Sequence, residues 1–295
     1  MKENKNTNVD GLFFIRSLSL LAIIICLTIF YLWQNDNNKN DKVQSELENF
    51  VSIQEVTNKD TSEIVILNEN IINDDQVQEE MQNLNKSNYN IDVDFDLLTQ
   101  KNSDTVGWIA LKNLDINYPI VQAKDNSYYL NRNFYKVKNS AGWIYGDYTN
   151  NFTLLDKNTI IYGHNRRNGT MFSKLTNYLD PEFCAKEGSK AFLFATKEGK
   201  YEAQIFSAYK VNATGFTIKT NFENEISFFD YLKELKEKSN YDFGNIVSPN
   251  DRIITLCTCD NNTKYRIVVH ARLKLIRLYI YNKKKTNDKM IKEDY

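Results

Sequence analysis

A chain of 295 residues has room for one large domain with appendages or for two modest ones. With 4 Cys and 2 His it holds neither a Cys- and His-rich structural metal site nor a disulfide scaffold. The formal net charge of -1 hides a segregation, because acids outnumber bases between Asp36 and Asp96 and leave the folded remainder net basic. No nucleic-acid-binding motif accompanies that basicity, so an anionic surface such as a cell wall is at least as good a partner.

In chain order, residues 1–16 lead into an uncharged run from Ser17 to Trp33. That run is at the short end of the roughly 17–25 residues a membrane-spanning helix needs, and Arg16 can snorkel to lengthen it. Tyr31 and Trp33 fall where an interfacial aromatic belt sits. A cleaved signal peptide wants a shorter apolar region and a small-residue cleavage site, and neither is evident. The expectation is an uncleaved transmembrane anchor over 17–33. Lys2, Lys5 and Arg16 precede it, which places 1–16 in the cytoplasm and the rest of the chain outside.

Residues 34–93 carry no Pro or Gly, many Asn, Asp, Glu and Gln, and too few apolar side chains for a core of their own. They read as an extracytoplasmic stalk that lifts a folded domain from the bilayer. The folded region is expected over 94–280, since almost all of the 18 Tyr and 17 Phe lie beyond Phe95. Phe95 to Asn102 reads as a short amphipathic helix. Strand-like runs follow at 106–111, 116–121, 142–145, 158–162, 190–195 and 200–209. Many short strands separated by turn residues predict a closed or nearly closed β-barrel. Glu225 to Leu235 breaks the pattern with apolar residues at helical spacing, an inserted amphipathic helix. The basic tail 281–295 is a solvated end.

Chemistry concentrates in the last hairpin. Ile253 to Cys259 and Arg266 to His270 are apolar, β-branched-rich runs around a loop of Asp260, Asn261, Asn262, Thr263, Lys264 and Tyr265, which is turn chemistry. If the strands pair directly across that loop, a thiol and a guanidinium meet at the strand ends. A cysteine attacks only as its thiolate, so an exposed electropositive position such as that of Cys259 suits a nucleophile. The alternative, a buried small hydrophobe, fits Cys26 and Cys184 better than Cys259, which Thr258 and Asp260 flank at the loop mouth.

The proton partner must be one of two histidines. In the same register His270 faces position 255, roughly 13 Å along the ladder from the thiol at about 3.3 Å per residue. It is therefore structural. His164, in Tyr162-Gly163-His164-Asn165, follows a strand end where catalytic groups are usually presented, the alternative being a turn histidine with no role. Cys257 shares a strand face with Cys259, cannot bridge to it, lacks companions for a metal site, and is expected to be a wall of the pocket.

Thr255-Leu256-Cys257-Thr258-Cys259 with Arg266, and the upstream Tyr162-Gly163-His164-Asn165, resemble the TLxTC and His signatures of sortases, membrane-anchored cysteine transpeptidases of Gram-positive bacteria. Gly107-Trp108-Ile109, Tyr118-Pro119-Ile120-Val121, Asp125 to Leu130, Gly169 to Phe172 and the helix near Phe229 are similar to class B members. The resemblance covers roughly Phe95 to Leu273. It implies an eight-stranded sortase-type β-barrel with an N-terminal helical extension and a helix inserted before the catalytic hairpin. It also implies Cys259 as nucleophile, His164 as general acid–base and Arg266 as stabiliser of substrate or oxyanion, with no cofactor and no metal. Asn126 and Leu130 would line the sorting-signal groove, with Cys257, Thr258 and Asp260 beside the thiol. Class B members usually carry Ser where this chain has Cys257, which bears on fine preference for the sorting signal. The implied partners are a surface protein bearing a C-terminal sorting signal, an amine of peptidoglycan, and the membrane, with no nucleic acid. A secreted cysteine hydrolase without transfer, and a non-catalytic surface protein on a membrane stalk, remain the alternatives at this point.

Overall fold

The alternating apolar runs beyond Asp104 close on themselves. A computed structural model of the chain describes residues 6–55, 89–214, 216–259 and 264–278. In chain order they form α1 (Asn6–Leu47), β1 (Val51–Glu55), β2 (Tyr89–Val93), α2 (Phe95–Lys101), β3 (Thr105–Leu111), β4 (Ile116–Val121), β5 (Tyr145–Gly146), β6 (Asn158–His164), α3 (Pro181–Cys184), β7 (Ala191–Ala195), β8 (Gly199–Asn212), α4 (Glu225–Glu237), β9 (Ile253–Cys259) and β10 (Tyr265–Leu278). Eight strands make a closed barrel in the order β10-β8-β7-β3-β4-β5-β6-β9, and β9 pairs with β10 to complete the ring. Closure leaves no sheet edge to protect. Two neighbouring pairs, β4 with β5 and β6 with β9, are parallel.

Strand alternation gives the barrel two cores. Ile254 and Leu256 of β9 join Trp108, Ile109, Ile120, Ile161, Phe194, Ile205 and Val269 in the main one. Ile253 and Cys257, one residue out of phase, join a second cluster with Phe206, Tyr209 and Val268 under α4. Helix α4 begins at a capping box in which Asn224 and Ser227 each bond the other's backbone N–H. It buries Phe228, Tyr231, Leu232 and Leu235, an i, i+3, i+4, i+7 stripe.

The stalk expected over 34–93 is corrected at both of its ends. The apolar run does not stop in a linker: α1 continues unbroken to Leu47, and its last turns lie on the barrel. Asn37, Asn40, Val43 and Leu47 fall at helical spacing on the docked face, with Leu47 fully buried and both Asn side chains nearly so. Asn40 Nδ2 donates to the Gly142 carbonyl at 3.2 Å, and Asp36 accepts from Asn139 Nδ2 through its carbonyl and from the Ser140 N–H through its carboxylate. Glu46 receives hydrogen bonds from Tyr135 and Lys101, which hold its carboxyl below the usual carboxylate range. A search for apolar residues misses such a face, because hydrogen bonds from Asn and Asp do the docking. Strands β1 and β2 form an antiparallel ribbon, with Val51 opposite Val93, and Asp92 of β2 pairs with the buried Lys200 Nζ at 3.0 Å. The folded body thus takes in 34–55 and 89–93. Residues 56–88 and the tail 281–295 lie outside the described residues.

Two of the strand boundaries that move lie near the partners of the β9–β10 hairpin. The strand expected to end at Tyr162 runs on to His164, because Gly163 and His164 find partners in Thr258 and Cys259. The strand expected over 142–145 keeps only Tyr145 and continues to Gly146, since Gly142 adopts a left-handed φ of +62° and turns the chain.

Candidate active site

Three adjacent strands meet in one row of residues. The parallel pairing of β6 and β9 runs from Asn158 opposite Ile253 to His164 opposite Cys259. On the other side of β9, the antiparallel register with β10 sets His270 against Thr255 and Val268 against Cys257. The last pair of that ladder is Val268 with Cys257; the same register continued by two residues sets Arg266 opposite Cys259, and the Ile267 N–H, donating to Thr258 Oγ1 at 2.9 Å, ties the intervening step. Adjacent strands lie roughly 4.8 Å apart, and residues in one row belong to one face of a sheet. His164, Cys259 and Arg266 therefore occupy neighbouring positions, although 94 residues of chain separate the first two.

The His164 ring is oriented by backbone. Its Nε2 lies 2.7 Å from the Leu130 carbonyl oxygen, which can only accept, so Nε2 carries a proton in either charge state of the ring. The proton that comes and goes is the one at Nδ1. Leu130 is held in turn by the Trp143 N–H donating to the Tyr129 carbonyl at 3.0 Å. A Cβ at Gly142 would stand 2.7 Å from His164 Cδ2 and 2.7 Å from the Tyr129 and Leu130 carbonyl oxygens, so only glycine lets these three groups converge.

Asn126 joins the same face through Asp147. Asn126 Nδ2 and the Tyr162 hydroxyl both donate to Asp147 Oδ2, at 2.8 and 3.0 Å, while Asn126 Oδ1 accepts from the Tyr148 N–H. Thr149 donates twice to the other carboxylate oxygen. The Asp147 carboxylate, nearly buried, thereby ties the Asn126 loop to β6 two residues before His164.

The remaining predicted positions lie as follows. Cys257 is 3% exposed, under Phe228, Tyr231 and Leu232 of α4, so it forms the buried floor beside the row. Thr258 is buried on the opposite face, its hydroxyl engaged by Ile267. Asp260 lies outside the described residues. His270 is fully buried between Thr255 and Tyr209, away from the row. Cys184 is buried as well, and burial pushes its thiol up to about 11, which leaves it a poor nucleophile. Among the described residues no group of three His, Cys, Asp or Glu is placed to hold a metal ion. Sequence reasoning missed Gly142, Asp147 and the Leu130 carbonyl. The last is a backbone atom that any residue at 130 supplies, and neither of the others stands in a recognisable motif.

The chain is similar to known proteins. A family model described as the sortase domain matches residues 109–274. The chain is 42% identical over 179 residues to sortase B of Listeria monocytogenes, covering 60% of this chain and 72% of that protein. It is 38% identical over 205 residues to sortase B of Staphylococcus aureus, covering 68% and 83%. Among solved structures, a Staphylococcus aureus sortase B–substrate complex superposes with a TM-score of 0.60 at 40% identity, over 62% of this chain and 85% of that one. A sortase B-like protein of Bacillus anthracis superposes with a TM-score of 0.64 at 32% identity, over 81% and 98%.

Proposed function

Because this chain belongs to the sortase family of transpeptidases that anchor proteins to the cell wall, we propose that Cys259 is its nucleophile, His164 its general acid–base and Arg266 its oxyanion-side donor. One observation carries the reading: the β6–β9 register sets His164 beside Cys259, and the β9–β10 register, continued two residues past its last pair, reaches Arg266. The substrate is a surface protein with a C-terminal sorting signal, as the substrate complex of the Staphylococcus aureus relative suggests. The Cys259 thiolate attacks the carbonyl carbon of a Thr in that signal, and Arg266 N–H groups stabilise the oxyanion. As the C–N bond breaks, the departing amine takes a proton from His164 Nδ1, while Nε2 stays on the Leu130 carbonyl. An amine of peptidoglycan then attacks the thioester and gives a proton back to Nδ1; the new amide forms as the C–S bond breaks and the thiolate returns. Asn126 and Leu130 belong to the wall on which the signal lies, with Cys257 as its buried floor.

The same reading makes α1 a single-pass anchor with its N-terminus in the cytoplasm and the barrel outside. Among the described residues it is the one helix long and apolar enough to cross a membrane, and its side chains from Phe13 to Leu32 are largely exposed. The test is a sorting-peptide assay with an amine acceptor, read by mass spectrometry. Cys259→Ala, shown folded by circular dichroism, is expected to form neither thioester nor transfer product, and His164→Ala to lose about 10²-fold or more. Turnover by the folded Cys259→Ala protein would reject the assignment. Release of free acid alone, whatever amine is supplied, would make the chain a hydrolase.

A further inference from the structure

The loop that follows His164 is tied to the first turn of α1 beyond its apolar run. Arg166 donates from Nη2 to Asn37 Oδ1 at 2.7 Å and from Nη1 to the Ser140 carbonyl at 3.0 Å, and Ser140 in turn bonds the Asp36 carboxylate. Asn37 lies four residues past Trp33, the end of the apolar run, which in an unbroken helix is a rise of about 6 Å. The polar layer on each side of a bilayer, half the difference between about 40–45 Å overall and about 30 Å of hydrocarbon, is of the same thickness. Tilting α1 shortens its climb from the membrane further. From Asn165 to Met171 the chain forms a tight hairpin: these two residues make a β-bridge, the Gly169 N–H bonds the Arg166 carbonyl, and Gly169 sits at φ +84°. Arg167 and Asn168 are exposed on that hairpin.

We propose that the 165–171 hairpin rests in the phospholipid headgroup layer of the bilayer that α1 enters, with Arg167 on lipid phosphate, so that the row of His164, Cys259 and Arg266 opens at the membrane surface. The occupant follows from continuity, since the helix that carries the hairpin's Asn37 clamp is the one that enters the lipid. The charge of Arg167 matches it.

Because this placement depends on α1 being an anchor, the test reads insertion and height separately. The full chain is reconstituted in phosphatidylcholine–phosphatidylglycerol nanodiscs with a fluorescent non-natural residue at Asn168 or, as reference, at Ile246. Ile246 is 77% exposed, and its carbonyl bonds Arg272, which pairs with Ile253 at the far end of β9 from Cys259, roughly 20 Å away at about 3.3 Å per residue. With a nitroxide on the lipid headgroups, the probe at 168 is expected to lose most of its emission and the probe at 246 to keep it. Equal emission at the two sites in a chain that co-migrates with the disc overturns the headgroup placement and leaves the anchor intact. A chain that stays out of the disc rejects the anchor and this placement with it. Arg167→Glu, outside the catalytic row, is expected to weaken the quenching at 168, and quenching indifferent to that reversal removes Arg167 from lipid phosphate.

Discussion

Gly142 and His270 show how single residues shape the site and the core without taking part in chemistry. Substituting Gly142 with Ala costs roughly 1–2 kcal/mol for the left-handed backbone, and its methyl meets the His164 ring and the carbonyl that orients it. A ring displaced by even 1 Å loses about 10²-fold in rate, so Gly142→Ala is expected to lower kcat/KM by about that factor with a small change in Tm. Near-wild-type turnover in a folded Gly142→Ala protein would sink the claim that His164 is held through this contact. His270 sits in a chain with one direction. Thr255 donates to Asn158 Oδ1, so it must accept from His270 Nδ1–H, and Nε2 accepts from the Tyr209 hydroxyl. Burial disfavours the imidazolium and pulls the His270 pKa down to about 3 from 6.5. The unfolded chain therefore takes up a proton that the folded one refuses. Stability from this group is complete above pH 6.5 and drains as pH falls toward 3, at up to about 1.4 kcal/mol per pH unit. His270→Gln keeps a donor and an acceptor but does not titrate, so denaturation midpoints measured across that window should fall less steeply on acidification than for the parent chain; an unchanged slope would contradict this account.

At the scale of elements, legibility tracks the force that docks each one. The β9–β10 hairpin was readable because apolar alternation and a polar loop specify register, and the expected opposition of His270 and position 255 is the one observed. Helix α4 was readable from its stripe of Phe228, Tyr231, Leu232 and Leu235. The docked end of α1 was not, since Asp36, Asn37 and Asn40 look like linker residues until the carbonyl of Gly142 and the side chain of Arg166 are brought to them. The β1–β2 ribbon was hidden for a similar reason, its anchor being an ion pair with a buried lysine. Of these elements α4 makes the sharpest prediction, because it covers Cys257. Phe228→Ala empties the centre of the interface, a change that costs about 3–5 kcal/mol for a buried Phe. In a Cys259→Ala background it should raise the rate at which thiol reagents label Cys257, counted by peptide mapping. Labelling no faster than with Phe228 present would mean that α4 is not the cover.

For the whole molecule, barrel closure was foreseeable from the number of short strands, but which strands become neighbours was not. Local patterning says nothing about the parallel partner of a strand, and β6 and β9 are joined only after β7, β8 and α4 have been laid between them. His164 was separated from His270 by ladder arithmetic, yet its place beside Cys259 comes from this long-range pairing alone. The same seam has a temporal meaning. A chain synthesised from its N-terminus presents α1 and β6 long before β9 exists, and long-range strand pairing is slow to form. Until the penultimate strand slots in beside β6, the thiol and the imidazole belong to separate stretches of unfinished protein. The row is thus latent by topology: a nascent chain, whatever surrounds it, does not hold His164 and Cys259 side by side until its own barrel is shut.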